Sequence, residues 1–235
     1  MERYIKNKTS LSESEQSKLA DCRVFVVGCG GLGGYIIELL ARVGVGHLTV
    51  LDGDVFVESN LNRQLFCTAV TIGTPKAIAA VERLYRVNPL VSCEAVVEFL
   101  TERNADSLSA GHDIVVDALD SVDSRSLLLG ACEKASIPLV HGAIAGWRGR
   151  VSVIYPGDAA AFLCSGNTND DKSRVNISDR GMEQPMGNLG FTAACIASIQ
   201  VAETIKSLLS KGRLCRNKTI EIDLLTGTTE SVELE

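Results

Sequence analysis

The chain has 235 residues, 46% of them hydrophobic, and a formal net charge of −6, enough to bury one substantial core in a single domain. No apolar run approaches the roughly 18 residues of a membrane span, the start Met1-Glu2-Arg3-Tyr4-Ile5-Lys6 lacks the apolar centre of a signal peptide, and the acidic balance disfavours nucleic acid as the main partner. Eight scattered cysteines, none in a C-x-x-C pair, read as small buried thiols of a reducing cytoplasm and predict no structural zinc.

In chain order, Ser12-x-x-Glu15 is a capping box that starts a short helix running toward Ala20, giving an N-terminal helical arm over residues 1–22. Residues 23–27 form a β-branched run that stops at Gly28, and residues 31–43 carry Leu32, Ile36, Leu39, Leu40 and Val43 at helical spacing. A second strand over 47–52, a helix over 75–87, strands at 92–97 and 114–117, a helix over 123–135 and a strand at 138–142 complete a core over 23–150. This β-α-β alternation predicts an α/β fold, a Rossmann-like doubly wound and mostly parallel sheet. Residues 151–235 read as a strand at 151–155, a Gly-, Asn- and Asp-rich crossover loop over 157–190, a helix over 191–209 and a closing hairpin around Thr226-Gly227. The last hairpin is the antiparallel extension.

Gly28-Cys29-Gly30-Gly31-Leu32-Gly33 joins the first strand to the first helix. Glycines there permit a tight turn and a close approach of backbone to phosphate, at a helix N-terminus whose free N–H groups attract anions. Asp52 follows about 20 residues on, where a carboxylate can take ribose hydroxyls. A nucleotide is therefore expected, with NAD, FAD and ATP all open. Beyond the second strand, Asp52-Gly-Asp54 leads into Ser59-Asn60-Leu61-Asn62-Arg63-Gln64. Arg63 offers a planar fork to phosphate oxygens, and Asn60 and Gln64 are candidates to orient the phosphates or the attacking group. In Thr74-Pro75-Lys76 the threonine reads as an N-cap, with Lys76 in the first helical turn, a position that becomes favourable against an anion. Asp120 lies just past the strand that Asp117 closes. It is either a plain N-cap for the next helix or a carboxylate that carries Mg²⁺ on a triphosphate. His141 reads as a core histidine, His47 and His112 as surface residues, and Trp147 as packing.

Taken together, the Gly28–Gly33 turn, Asp52-x-Asp54, Ser59 to Gln64, Gly73-x-Pro75-Lys76 and Asp117-x-x-Asp120 resemble the ThiF/MoeB/HesA family, relatives of the ubiquitin-activating enzymes, and more closely its small members. The resemblance implies an adenylyltransferase that binds MgATP and adenylates the C-terminal glycine carboxylate of a ubiquitin-like sulfur-carrier protein ending in Gly-Gly. By that resemblance Asp52 holds the ribose, Arg63 and Lys76 stabilise the phosphates, and Asp120 holds Mg²⁺. It also implies a homodimer in which an N-terminal cation of one subunit enters the other's site; here that position is Lys6 rather than arginine. Ser121 stands where asparagine is expected after the metal-binding aspartate, and Cys164 reads as an inert loop residue. The pathway served, whether thiamine, molybdopterin, cysteine or another, stays open. The rival readings are an NAD-dependent oxidoreductase, a non-catalytic nucleotide-binding partner subunit, and an adenylating enzyme with a peptide or tRNA-borne acceptor.

Overall fold

The computed structural model describes residues 2–160 and 187–234; Cys164 and most of the crossover stretch 157–190 lie outside the described residues. A 3₁₀ turn over Glu2–Asn7 precedes α1 (Glu13–Asp21), which opens on the expected box: Ser12 Oγ accepts from Glu15 N, and Glu15 answers to the Ser12 N–H. Then follow β1 (Arg23–Val27), α2 (Gly31–Val43), β2 (His47–Leu51), α3 (Lys76–Val87), β3 (Ser92–Val96), α4 (Ala105–Ser109), β4 (Ile114–Asp117) and α5 (Val122–Ala135). The chain closes with β5 (Leu139–Ala145), β6 (Arg148–Ile154), α6 (Gly190–Leu209), β7 (Lys218–Asp223) and β8 (Thr228–Glu233).

One eight-stranded sheet runs in the order β3-β2-β1-β4-β5-β6-β7-β8. The first five strands in that order pair parallel and the last three pairings are antiparallel, as the expected extension requires. Both faces of the parallel part are covered, so β1 is apolar and buried from Val24 to Val27 and its side chains divide by parity. Val24 and Val26 enter the larger core with Ile36, Leu40, Ala80 and Ile196 of α2, α3 and α6. Phe25 and Val27 enter the smaller one with Leu128 and Cys132 of α5. At the far end β8 is exposed along its whole length and leaves that edge of the sheet open.

Several local expectations shift. The helix α3 begins one residue late for a Thr74 cap, because extended Pro75 (ψ 131) is itself the capping residue and its carbonyl accepts from Ala79 N. The strand β6 starts at Arg148 rather than 151, since it pairs with β5 through a tight turn at Gly146-Trp147. The short α4 has no apolar periodicity of its own to reveal it in sequence. His112 is not a surface residue: its ring stacks on Phe25 at 5.2 Å and its Nε2 lies 2.9 Å from Thr49 Oγ1. Trp147 packs on Phe191 at 4.9 Å, though both remain partly exposed.

The helices α2 and α3 are fastened by Glu38, whose buried carboxylate accepts from Arg42 at 2.7 Å and from Arg83 at 2.8 Å. Arg83 and then Arg42 hold this carboxyl below its usual value against the opposing effect of burial. Glu38→Gln is expected to lower unfolding free energy by about 2 kcal/mol at neutral pH, read by urea denaturation. The contribution is present above the ordinary glutamate range and is lost as pH falls through the depressed native value, so the two proteins should converge in acid.

Candidate active site

The cleft opens beyond the C-terminal ends of β1, β2 and β4, where the strand order reverses direction, and has a volume of about 740 Å³. Gly28, Gly30, Gly31, Asp52, Asp54, Arg63, Gln64, Lys76 and Asp120 all line it. Gly33, Asn60 and Lys6 do not.

The turn at its centre is dictated by sterics. Gly28 sits at φ +102, and a Cβ on it would lie 2.6 Å from the Ala118 carbonyl oxygen. A Cβ on Gly33 would lie 1.8 Å from the Gly28 carbonyl oxygen, so Gly33 lets helix close on strand rather than touching a ligand. The helix α2 has Gly30 as its N-cap, with no side-chain cap and no acidic residue in its first turn. Its first N–H groups therefore face the cleft as free donors with the positive end of the helix behind them.

Asp52 leaves β2 and is held by two backbone donors: Oδ2 accepts from Cys29 N at 2.8 Å and Oδ1 from Asp54 N at 2.9 Å. Burial raises its carboxyl above the usual value, against the pull of Lys76 and those two N–H groups. Cys29 is fully buried, and burial followed by the neighbouring Asp52 pushes its thiol well above the ordinary value, which leaves it a small hydrophobe. Lys76 is only 7% exposed. Its Nζ pairs with Asp54 Oδ2 at 3.0 Å and its backbone N–H donates to the Asp54 carbonyl at 2.9 Å. Asp54 thus neutralises a cation that the α3 dipole disfavours, and aims it into the cleft. Arg63 donates to the Ser59 carbonyl and to Asn62 Oδ1, both at 3.0 Å. Asn60 shapes this loop from within: its Oδ1 accepts from Val57 N, and its carbonyl accepts from the Arg63 and Gln64 N–H groups.

Across the cleft, Asp120 is not the cap of α5. Ser121 takes that role, with Oγ accepting from Ser124 N, which leaves the Asp120 carboxylate at the cleft wall. Lys6 lies elsewhere in its own chain. Asn88 donates to the hydroxyl of Tyr4 at 2.7 Å and accepts from Arg3, which docks the 3₁₀ turn at the C-terminal ends of α2 and α3. The thirteen residues of α2 put about 20 Å between that end and the glycine turn.

Residues that sequence reasoning missed complete the walls. Phe99, after β3, covers Gly53, where a Cβ would meet its ring at 2.7 Å. An exposed aromatic just beyond a strand end was the available signal. Asn188 arrives with the segment before α6, held by Asn62 Nδ2 on its carbonyl at 3.3 Å. Its Oδ1, like Oε1 of Gln64, is buried without a hydrogen-bond partner. These two acceptors sit with the carboxylates of Asp52, Asp54 and Asp120 in a cleft of mixed donors and acceptors, where an N–H or O–H group of a ligand would satisfy them.

Behind the wall lies a buried polar layer. Asp117 and His141 are both 0% exposed and adjacent in the parallel β4–β5 register, with His141 Nδ1 2.7 Å from Asp117 Oδ2. Burial pushes His141 down to about 4, beyond the opposing pull of Asp117, so the ring is neutral at pH 7. Unfolded, the same ring would titrate near its ordinary 6.5. The unfolded chain therefore binds more protons as pH falls from 7 to 5, and stability should drop by about 2 kcal/mol over that range. Denaturation midpoints at the two pH values should show this drop in the native protein and a much smaller one in His141→Asn.

Comparison with known proteins agrees with this architecture. The ThiF family profile matches residues 3–235. The SAMP-activating enzyme E1 of Haloferax volcanii is 38% identical over 217 residues, 92% of this chain and 78% of that protein. The molybdopterin-synthase adenylyltransferase of Escherichia coli is 34% identical over 212 residues, 90% of this chain and 82% of that protein. The crystal structure of E. coli MccB with ATP superposes with a TM-score of 0.83 at 20% identity, covering 99% of this chain and 70% of that one, a likeness of fold. With the matched profile spanning nearly every residue, the chain belongs to the ThiF family.

Proposed function

We propose that this protein is an adenylyltransferase that uses MgATP to activate the C-terminal carboxylate of a small ubiquitin-like sulfur-carrier protein. The observation that carries the reading is the meeting, in one cleft, of the glycine turn, two cations and an opposing carboxylate: Gly28 to Gly31, Arg63, Lys76 and Asp120. A dinucleotide needs only the turn and Asp52; Arg63 and Lys76 together suit a longer polyphosphate. The names of the Haloferax and E. coli relatives supply the class of reaction.

The sheet order suggests how the substrates lie. Asp52 and Phe99 stand at the β2–β3 end, fitting ribose and base, while the turn on β1 and Asp120 after β4 flank the phosphates. Ile144 and Asn188 stand at the β5–β6 end, the side from which the carrier's extended Gly-Gly tail would enter. The terminal carboxylate oxygen attacks the α-phosphorus, the bond from that phosphorus to the bridging oxygen of the β-phosphate breaks, and pyrophosphate leaves with the electron pair. Lys76 and Arg63 stabilise the charge that develops on the phosphates, and positioning does the rest. Among the described residues no three His, Cys, Asp or Glu side chains converge as a metal cage. Asp120 alone fits magnesium, which commonly takes one or two carboxylates with the remainder from phosphate and water. When bound, the ion would supply neutralisation of phosphate charge.

The distance between Lys6 and its own cleft fits a homodimer in which Lys6 serves the neighbouring subunit's site. No described helix is long and apolar enough to cross a membrane, and the buried free thiols suit a reducing cytoplasm.

ATP–pyrophosphate exchange tests the proposal. Exchange should require a carrier ending in Gly-Gly, vanish in Asp120→Ala, and fall by about 100-fold or more in Lys76→Ala. Exchange without any protein acceptor, or none with any carrier despite tight ATP binding, would overturn it.

A further inference from the structure

We propose that His141, acting through Asp117, is a positioning residue for the Asp120 carboxylate; the inference rests on the reading of Asp120 as the magnesium carboxylate. Ala118, Leu119 and Asp120 line the cleft, whereas Asp117, Arg125, His141 and Gln200 do not. These four form a sealed layer directly behind it, each less than 5% exposed. Hydrogen bonds from that layer meet on residues 117–119. Asp117 Oδ1 accepts from Leu119 N at 2.9 Å, and Arg125 donates to the Leu119 carbonyl at 2.6 Å. The peptide groups on both sides of Leu119 are thereby fixed immediately before Asp120. Gln200 of α6 donates to the Asp117 carbonyl at 2.8 Å, entering over Gly142, where a Cβ would lie 2.2 Å from its Cδ.

His141 is the piece that orients this arrangement. Its Nδ1–H occupies Asp117 Oδ2, which leaves Oδ1 to hold Leu119, and Arg125 Nε stands 3.8 Å from the same Oδ2. A buried carboxylate with its partners is a costly way to fill a core, and well-packed apolar residues commonly stabilise as much or more. What the polar layer adds is a defined direction for the segment that follows. Outer groups of this kind fix the ligands of metal sites, and their loss typically costs about 10- to 100-fold in metal affinity.

The test separates metal-dependent from metal-independent nucleotide binding. ATP is titrated calorimetrically into the intact protein, once with EDTA and once with Mg²⁺. In His141→Leu the affinity measured in EDTA should stay near the native value, because the glycine turn, Arg63 and Lys76 are untouched. The tightening produced by Mg²⁺ should fall by about 10-fold or more. His141→Asn, which places an amide N–H near the position of Nδ1, should restore it. Asp117→Asn is the second variant, expected to share the defect of His141→Leu and to stand in for it should that protein not fold. Equal loss in EDTA and Mg²⁺ would mark a merely structural role and overturn the inference. So would an intact Mg²⁺ effect in His141→Leu when Asp120→Asn has lost it. If Asp120→Asn keeps the full effect, the metal reading of Asp120 fails and the positioning role falls with it.

Discussion

The approach of α2 to the end of β1 is the constraint on which the site depends. Gly33 lies against the Gly28 carbonyl, and Gly28 against the Ala118 carbonyl, at separations that no side chain would allow. Those two contacts bring the ends of β1 and β4 and a helix N-terminus to one place, and the Gly28 N–H donates to the Leu51 carbonyl at the end of β2. The donors of α2, the carboxylate of Asp52 and the segment 118–120 are then neighbours by construction. Apolar burial on both faces of β1 supplies the force that holds the parts together, and the glycines set how close they come.

Around that point the charges are arranged in compensated pairs rather than as a broad positive surface. A chain of net charge −6 can offer positive charge to an anion only locally. Lys76 is buried beside Asp54, Asp52 is tied to two backbone N–H groups, and Arg63 rests on Asn62. Each side chain is held in place by a neighbour already present in the fold. The site is thus ordered in advance, so little reorganisation accompanies charge development.

Much of this was legible in the sequence because it is local. The strand–turn–helix at Gly28, the Ser12–Glu15 box and the alternation that predicts a parallel sheet all depend on residues near one another along the chain. What was hidden depends on register and docking. Nothing in the spacing of Asp117 and His141 reveals a shared carboxylate–imidazole contact; only the β4–β5 pairing brings them together. Asn60 looks like a ligand in sequence and proves to brace its own loop, because its side chain turns back to Val57. Asp54 lines the cleft, as its place beside Asp52 leads one to expect, and its pairing with Lys76, twenty-two residues on, is the part the spacing does not reveal. Lys6 belongs by composition with the cations of the site, yet Tyr4 and Arg3 anchor its segment to Asn88 at the opposite ends of the helices.

The open edge at β8 has a consequence for how the sheet meets other chains. An unpaired strand is a template for further strands, and proteins commonly guard such edges with charge. Here the guard is built into the last pairing, where Glu230 stands directly across from Glu221. Facing carboxylates weaken their own hairpin. A strand added beyond β8 would bring its residues beside Glu230 and Glu233, deepening that repulsion unless it carried positive charge. Glu230 and Glu233 thus place negative charge along the exposed edge, the kind of guard that discourages the addition of a further strand.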